Sequence, residues 1–154
     1  MTPAVVEVKR AGTSYRLHEY KSTGTGSWGI EAAELLGVDP QRVFKTLIVQ
    51  VDRSALVVGI VPVVCELNLK ALAAAARGKK AELANQQLAE RSTGYVLGGI
   101  SPLGQRQKLL TLLDTSAQNF TTIYISGGRR GLEIELSAAD LLFLSNGRSV
   151  ELTR

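Results

Sequence analysis

The chain has 154 residues, 45% hydrophobic and 21% charged, and carries a formal charge of 18 minus 14, or +4. A chain of that size and balance can bury a substantial core, which excludes wholesale disorder, and its longest apolar run, residues 55–64, falls well short of the roughly 20 residues of a membrane-spanning helix. The single cysteine, Cys65, excludes an internal disulfide and, with His18 as the one histidine, a structural zinc set.

In chain order, residues 3–11 predict a short helix with Pro3 at its start and Gly12 past its end. Residues 15–20 alternate as a strand. Residues 21–29 are rich in Gly, Ser and Thr and predict a surface loop, followed by a helix over 30–36 that Gly37 stops. Two β-branched runs, 43–51 and 55–63, flank Asp52-Arg53-Ser54 and predict a hairpin. Asn68 is placed to cap a helix over 69–77 ending at Gly78. A short strand at 79–83 and a helix at 85–91 lead into a glycine-rich segment. Strands are expected at 109–113, 121–126 and 132–136, the last two joined by Gly127-Gly128 and the basic pair Arg129-Arg130. Ser137 and Asp140 make a capping box for a final helix closed by Asn146-Gly147. With no linker, repeat or low-complexity tract, one domain over 1–154 is expected. Strands outnumber helices without βαβ alternation, so the expected class is α+β with a mixed sheet, curled to leave a cleft at one end. With no secretory signal at the N-terminus, a cytoplasmic home is expected.

Several residues carry candidate chemistry. On the strand at 43–51, Lys45 shares a face with Val43, Leu47, Val49 and Val51. A lone ammonium in an apolar row either lines a pocket, as a point charge with three donors, or snorkels from a strand end to water. His18 and Tyr20 point the same way on their strand, and any histidine-based proton transfer must use His18; the alternative is a structural hydrogen-bonding role. Residues 91–104 hold four glycines and one proline in fourteen positions, poor material for a helix or central strand. Gly98 and Gly99 can aim backbone donors at a carbonyl oxygen or phosphate, and Ser126-Gly127-Gly128 offers a second such turn, although either can be a turn and nothing more. No nucleophile–base–acid set is evident, and Cys65 is expected to be a small packed residue. The basic clusters Arg77-Lys79-Lys80, Arg106-Lys108 and Arg129-Arg130 can reach phosphates or serve as solvated surface charge. At 5%, aromatic residues are too few for a base-stacking platform.

These residues resemble the YbaK/EbsC family of Cys-tRNA(Pro) deacylases, stand-alone relatives of the editing domain of bacterial prolyl-tRNA synthetases. The resemblance lies in Met1-Thr2-Pro3-Ala4-Val5, His18 and Tyr20, Val43-Phe44-Lys45-Thr46-Leu47, residues 91–105, Ile123-Tyr124-Ile125-Ser126-Gly127-Gly128 and Arg130-Gly131-Leu132. It implies a mixed domain with a curved, barrel-like sheet and flanking helices. It implies removal of cysteine from mischarged tRNA in trans, association with prolyl-tRNA synthetase, and no cofactor, metal or membrane partner. Carried over by position, Lys45 is the essential lysine and Gly98 the backbone position near the scissile carbonyl. Tyr20, Thr46, Gly99, Ile100, Ser126, Gly127 and Gly128 fall on the substrate pocket. A family aspartate falls on Glu133, one methylene longer. The family mechanism uses the substrate's own thiol as nucleophile. Two other functions stay open at this point: a deacylase for another mischarged tRNA such as Ala-tRNA(Pro), and a non-catalytic adaptor binding tRNA or nucleotide.

Overall fold

The structure, a computed structural model, describes residues 1–24 and 28–154. Residues 25–27, within the expected 21–29 loop, lie outside the described residues. The elements are α1 (Pro3–Arg10), β1 (Arg16–Glu19), α2 (Trp28–Leu36), β2 (Phe44–Val51), β3 (Ala55–Pro62), α3 (Leu69–Ala75), β4 (Ala81–Leu83), α4 (Gln86–Thr93), β5 (Leu110–Asp114), β6 (Ile123–Ser126), β7 (Leu132–Leu136), α5 (Ala138–Ser145) and β8 (Arg148–Val150). Short 3-10 turns sit at Pro40–Arg42 and Thr115–Asn119. Two of the capping residues, Asn68 and Ser137, are those the sequence points to, and Thr2 and Asn85 join them. Thr2, Asn68, Asn85 and Ser137 accept the backbone N–H three residues on, satisfying donors that a helix start leaves orphaned.

The strands form two sheets: an antiparallel three-stranded one, β1-β7-β6, and a mixed five-stranded one, β4-β2-β3-β5-β8, in which β3, β5 and β8 run parallel. This is the expected α+β class, but not a closed barrel. The single curled sheet is corrected to two sheets that meet where Val43 bridges Tyr124 at the start of β2. Phe44, Ile48, Val58, Ile60 and Leu113 of the larger sheet pack with Ile123, Ile125 and Ile134 of the smaller one in the main core. The other face of the larger sheet, with Val49, Val51, Val57 and Val61, packs with Leu72 of α3. Burial on both faces explains the unbroken apolar run of β3.

Other boundaries shift for local reasons. Helix α3 ends at Ala75 rather than 77, because Arg77 turns left-handed at φ 60°. Strand β4 begins at Ala81, since the Lys79 and Lys80 N–H groups are taken by Asp52 at 3.1 and 2.9 Å. Helix α2 starts at Trp28, two residues early, and α4 runs on to Thr93, where Gly94 ends it at φ 82°. Strand β8 went unpredicted: three residues, Arg-Ser-Val, give no period to read, and only pairing with β5 makes them a strand.

Candidate functional site

The meeting of the sheets leaves a cleft of about 200 Å³ lined by Tyr20, Gly29, Val43, Phe44, Lys45, Thr46, Leu47, Val63, Leu97, Gly98, Ile100, Ser126 and Glu133. It therefore sits between two sheets, not at the end of one. The position follows from the topology. The first residues of β2 lie beside β6, and β7 sets Glu133 directly across from Ser126. Five consecutive residues, 43–47, touch the cleft, which strict alternation would not predict; both faces of a strand are reached where it enters between two sheets.

Of the sequence-derived candidates, the structure brings Lys45, Gly98, Tyr20, Thr46, Ile100, Ser126 and Glu133 together. Lys45 is half-buried, and its ammonium makes no ion pair or hydrogen bond among the described residues. Its three donors face the cleft uncommitted. Gly98 adopts φ 93°, a conformation that side chains rarely adopt, and its N–H has no backbone acceptor among the described residues. The Thr46 hydroxyl oxygen is buried without a partner among the described residues. Glu133 is 6% exposed. Burial pushes its carboxyl up to about 8, which favours the protonated form at neutral pH. Burial, then the nearby Glu133, pushes the Tyr20 hydroxyl up as well.

Gly99, Gly127 and Gly128 do not line the cleft, and the expectation that they offer donors is corrected. The Gly99 N–H donates to Val96 O at 2.9 Å and the Gly127 N–H to Leu132 O at 2.8 Å. The Gly128 N–H donates to Ser126 Oγ at 3.1 Å. What Gly99 supplies is closeness: a Cβ there would stand 2.8 Å from Arg129 Cα. The two glycine-rich segments thus lie against each other, and one wall of the cleft depends on it.

His18 is outside the cleft. Its Nε2 lies 2.8 Å from Glu135 Oε1, and its ring packs on Tyr124, over which Arg42 also sits at 5.0 Å. Glu135 accepts from Thr122 Oγ1 at 2.5 Å and pairs with Arg42 at 3.5 Å. Those hydrogen bonds and charges hold its carboxyl low despite burial, which pulls the other way. His18 is therefore a member of a structural polar cluster. In the Arg129-Arg130 cluster, Arg129 pairs with Glu19 at 3.3 Å, both side chains exposed, and Arg130 with the buried Glu31 at 3.9 Å. Glu31 further accepts from Ser22 Oγ at 2.7 Å, Thr23 N at 2.9 Å and Thr23 Oγ1 at 2.5 Å. The Thr23 and Ser22 hydroxyls, in that order, bring its carboxyl down to about 2. Cys65 follows β3, its N–H on Pro62 O at 3.0 Å, and is not a cleft residue. Gly29, Val63 and Leu97 line the cleft without having been singled out, and nothing in their local sequence distinguishes them.

A small cleft with an uncommitted ammonium, a free backbone N–H and a neutral carboxyl is built to receive a polar carbonyl compound. The model of the aminoacyl-tRNA editing domain family matches residues 27–144, and the chain belongs to that family, whose reaction is aminoacyl-tRNA deacylation. Among its relatives is EbsC of Enterococcus faecalis, proposed as a Cys-tRNA(Pro)/Cys-tRNA(Cys) deacylase, 36% identical over 99% of this chain and 93% of that protein. The crystal structure of hypothetical protein APE2540 shares the fold at TM-score 0.89, with 24% identity over 99% of this chain and 100% of the other. A protein proposed as a trans-editing enzyme for prolyl tRNA synthetase shares it at TM-score 0.86, with 18% identity over 100% and 99% of the two chains. The substrate of an editing deacylase is a mischarged tRNA. Among the described residues, no helix is long and apolar enough to cross a membrane.

Proposed function

We propose that this protein removes cysteine from Cys-tRNA(Pro), using the thiol of the cysteinyl group as the nucleophile. The observation that carries this reading is a cleft equipped to stabilise negative charge in which, among the described residues, no nucleophile is paired with a base. Lys45 and the Gly98 N–H are free to receive a developing oxyanion, whereas the Ser126 and Thr46 hydroxyls have no histidine beside them and no hydrogen bond to Lys45. Glu133, whose carboxyl burial pushes up to about 8, has no hydrogen bond to either hydroxyl among the described residues. In the proposed step the substrate sulfur bonds to the ester carbonyl carbon, and the bond to the terminal ribose oxygen breaks. The thiol proton ends on that oxygen, and cysteine leaves as a cyclic thioester. Lys45 and Gly98 stabilise the carbonyl oxygen as it gains charge, a contribution of roughly 3–4 kcal/mol per donor in other enzymes.

The cleft's size agrees. At about 200 Å³ it lies below the roughly 300–1,000 Å³ of sites for larger ligands and suits a small amino acid. Size alone separates cysteine from alanine poorly, since one small group is worth about 1–3 kcal/mol, whereas a reaction that needs sulfur rejects alanine outright. The activity proposed for EbsC supports the same substrate. The family resemblance further implies association with prolyl-tRNA synthetase, which co-purification of the two proteins tests.

The deciding experiment incubates the protein with Cys-tRNA(Pro) and Ala-tRNA(Pro) and follows loss of the amino acid. Loss of cysteine alone is expected. Loss of alanine too replaces the thiol mechanism by hydrolysis in a size-selective cleft, and loss of neither leaves a tRNA-binding adaptor. Cys65→Ala is expected to keep full turnover; a folded but inactive Cys65→Ala variant would establish a protein nucleophile instead.

A further inference from the structure

We infer that Thr2, the cap of α1, is a positioning residue for Ser126 in the cleft; this rests on the reading of the cleft as the aminoacyl site. The Thr2 hydroxyl does two things at once. It accepts the Val5 N–H at 3.2 Å, which caps the helix, and it donates its own proton to the carbonyl oxygen of Gly127 in a short hydrogen bond. Gly127 is held from its other side through its N–H on Leu132 O at 2.8 Å. The next residue, Gly128, at φ 106°, fits only because it has no side chain: a Cβ would stand 2.8 Å from the Tyr95 ring and 3.0 Å from Thr2 Cβ. So placed, the Gly128 N–H donates to Ser126 Oγ at 3.1 Å.

That last bond decides what Ser126 can do. A hydroxyl has one donor and two acceptor lone pairs, and the Gly128 N–H takes one lone pair. The Ser126 proton is left for an acceptor in the cleft that Ser126 lines, namely an oxygen of the aminoacyl ester. The direction of that proton is set through a short chain of contacts: Thr2 fixes Gly127, Gly127 fixes Gly128, and Gly128 fixes the Ser126 hydroxyl. Helix α1 supports the facing glycine-rich wall in a similar way. Glu7 accepts the Gly104 N–H at 2.5 Å, and the Tyr95 hydroxyl closes the segment by donating to Leu103 O at 2.6 Å.

The test separates the two jobs of Thr2. In the full-length protein, Thr2→Asp keeps a strong helix cap but cannot donate to Gly127 O, whereas Thr2→Ser keeps both bonds. Deacylation of Cys-tRNA(Pro) and the thermal midpoint are measured for these two, for Ser126→Ala and for the double variant. Thr2→Asp is expected to keep its midpoint and lose roughly tenfold to a hundredfold in kcat/KM, as small misplacements near a reacting centre do. Thr2→Ser is expected to match the native protein, and the double variant to be no worse than Ser126→Ala alone. Native kcat/KM in Thr2→Asp, or a double variant showing the product of the two single losses, overturns the inference. Should Thr2→Asp not fold, the same cycle is run with Thr2→Ala, whose lost cap registers in the midpoint and cancels from the cycle. A folded native protein that deacylates no aminoacyl-tRNA overturns the aminoacyl reading itself, and this assignment with it.

Discussion

Lys45 and Glu133 are opposite cases of an ionisable group in one cleft. The ammonium is uncommitted among the described residues, while burial pushes the carboxyl up to about 8. Replacing Lys45 by alanine is expected to lower kcat at least about a hundredfold, the scale of losing one oxyanion donor, while the thermal midpoint stays near native because no buried partner is orphaned. A folded Lys45→Ala variant that retains turnover would remove the residue from the mechanism. Glu133 makes a prediction about stability. Its carboxyl titrates near 4.5 in the unfolded chain and at about 8 in the folded one. The folded state therefore binds more protons than the unfolded state between those values, and its stability falls as pH rises across that window. Urea unfolding at pH 5 and pH 8 should show a drop on the order of a few kcal/mol in the native protein that is absent in Glu133→Gln. An equal pH dependence in both would place the burial of Glu133 in doubt. The sequence marked Lys45 as a cation in an apolar row, but it carried no sign of Glu133's burial, which depends on β7 pairing with β6 where the start of β2 arrives. His18 pointed along the same strand face as Tyr20, yet a charged partner in the adjacent strand drew it away.

At the level of elements, caps and turns were legible because they depend on neighbours in the sequence: Asn68, Ser137 and Asn146 act within a few residues of themselves. The glycine-rich segments were legible as special backbone, but not for their purpose. Donors were expected of Gly99, whereas its structural demand is steric. Gly99→Ala forces a methyl group into the backbone at Arg129, and overpacking of this kind costs about 1–3 kcal/mol. Both a lower thermal midpoint and a raised KM are expected, because the displaced wall carries Gly98 and Ile100. A native midpoint and KM would show that the two segments can slide apart freely. Strand β8 and the division into two sheets were not legible, since both rest on pairings between residues far apart in the chain.

For the molecule as a whole, the exposed cations Arg77, Lys79 and Lys80 lie near the far end of β2 from Lys45, where Val51 pairs with Ala81. Lys45 and Val51 are six residue steps apart along the strand, about 20 Å, a distance along which tRNA bound at the cleft can extend. Added salt should therefore raise KM steeply and leave kcat nearly constant, since phosphate contacts release counterions; Lys79→Glu with Lys80→Glu should flatten that dependence. A KM indifferent to salt would exclude these cations as a tRNA surface. The cleft itself has a further consequence. Its walls come from α2, the entry of β2, the 97–100 segment, β6 and β7, so no contiguous stretch of chain contains it. A nascent chain or a proteolytic fragment that stops before β7 lacks Glu133 and the strand that pairs with β6, and so is expected to form no complete cleft.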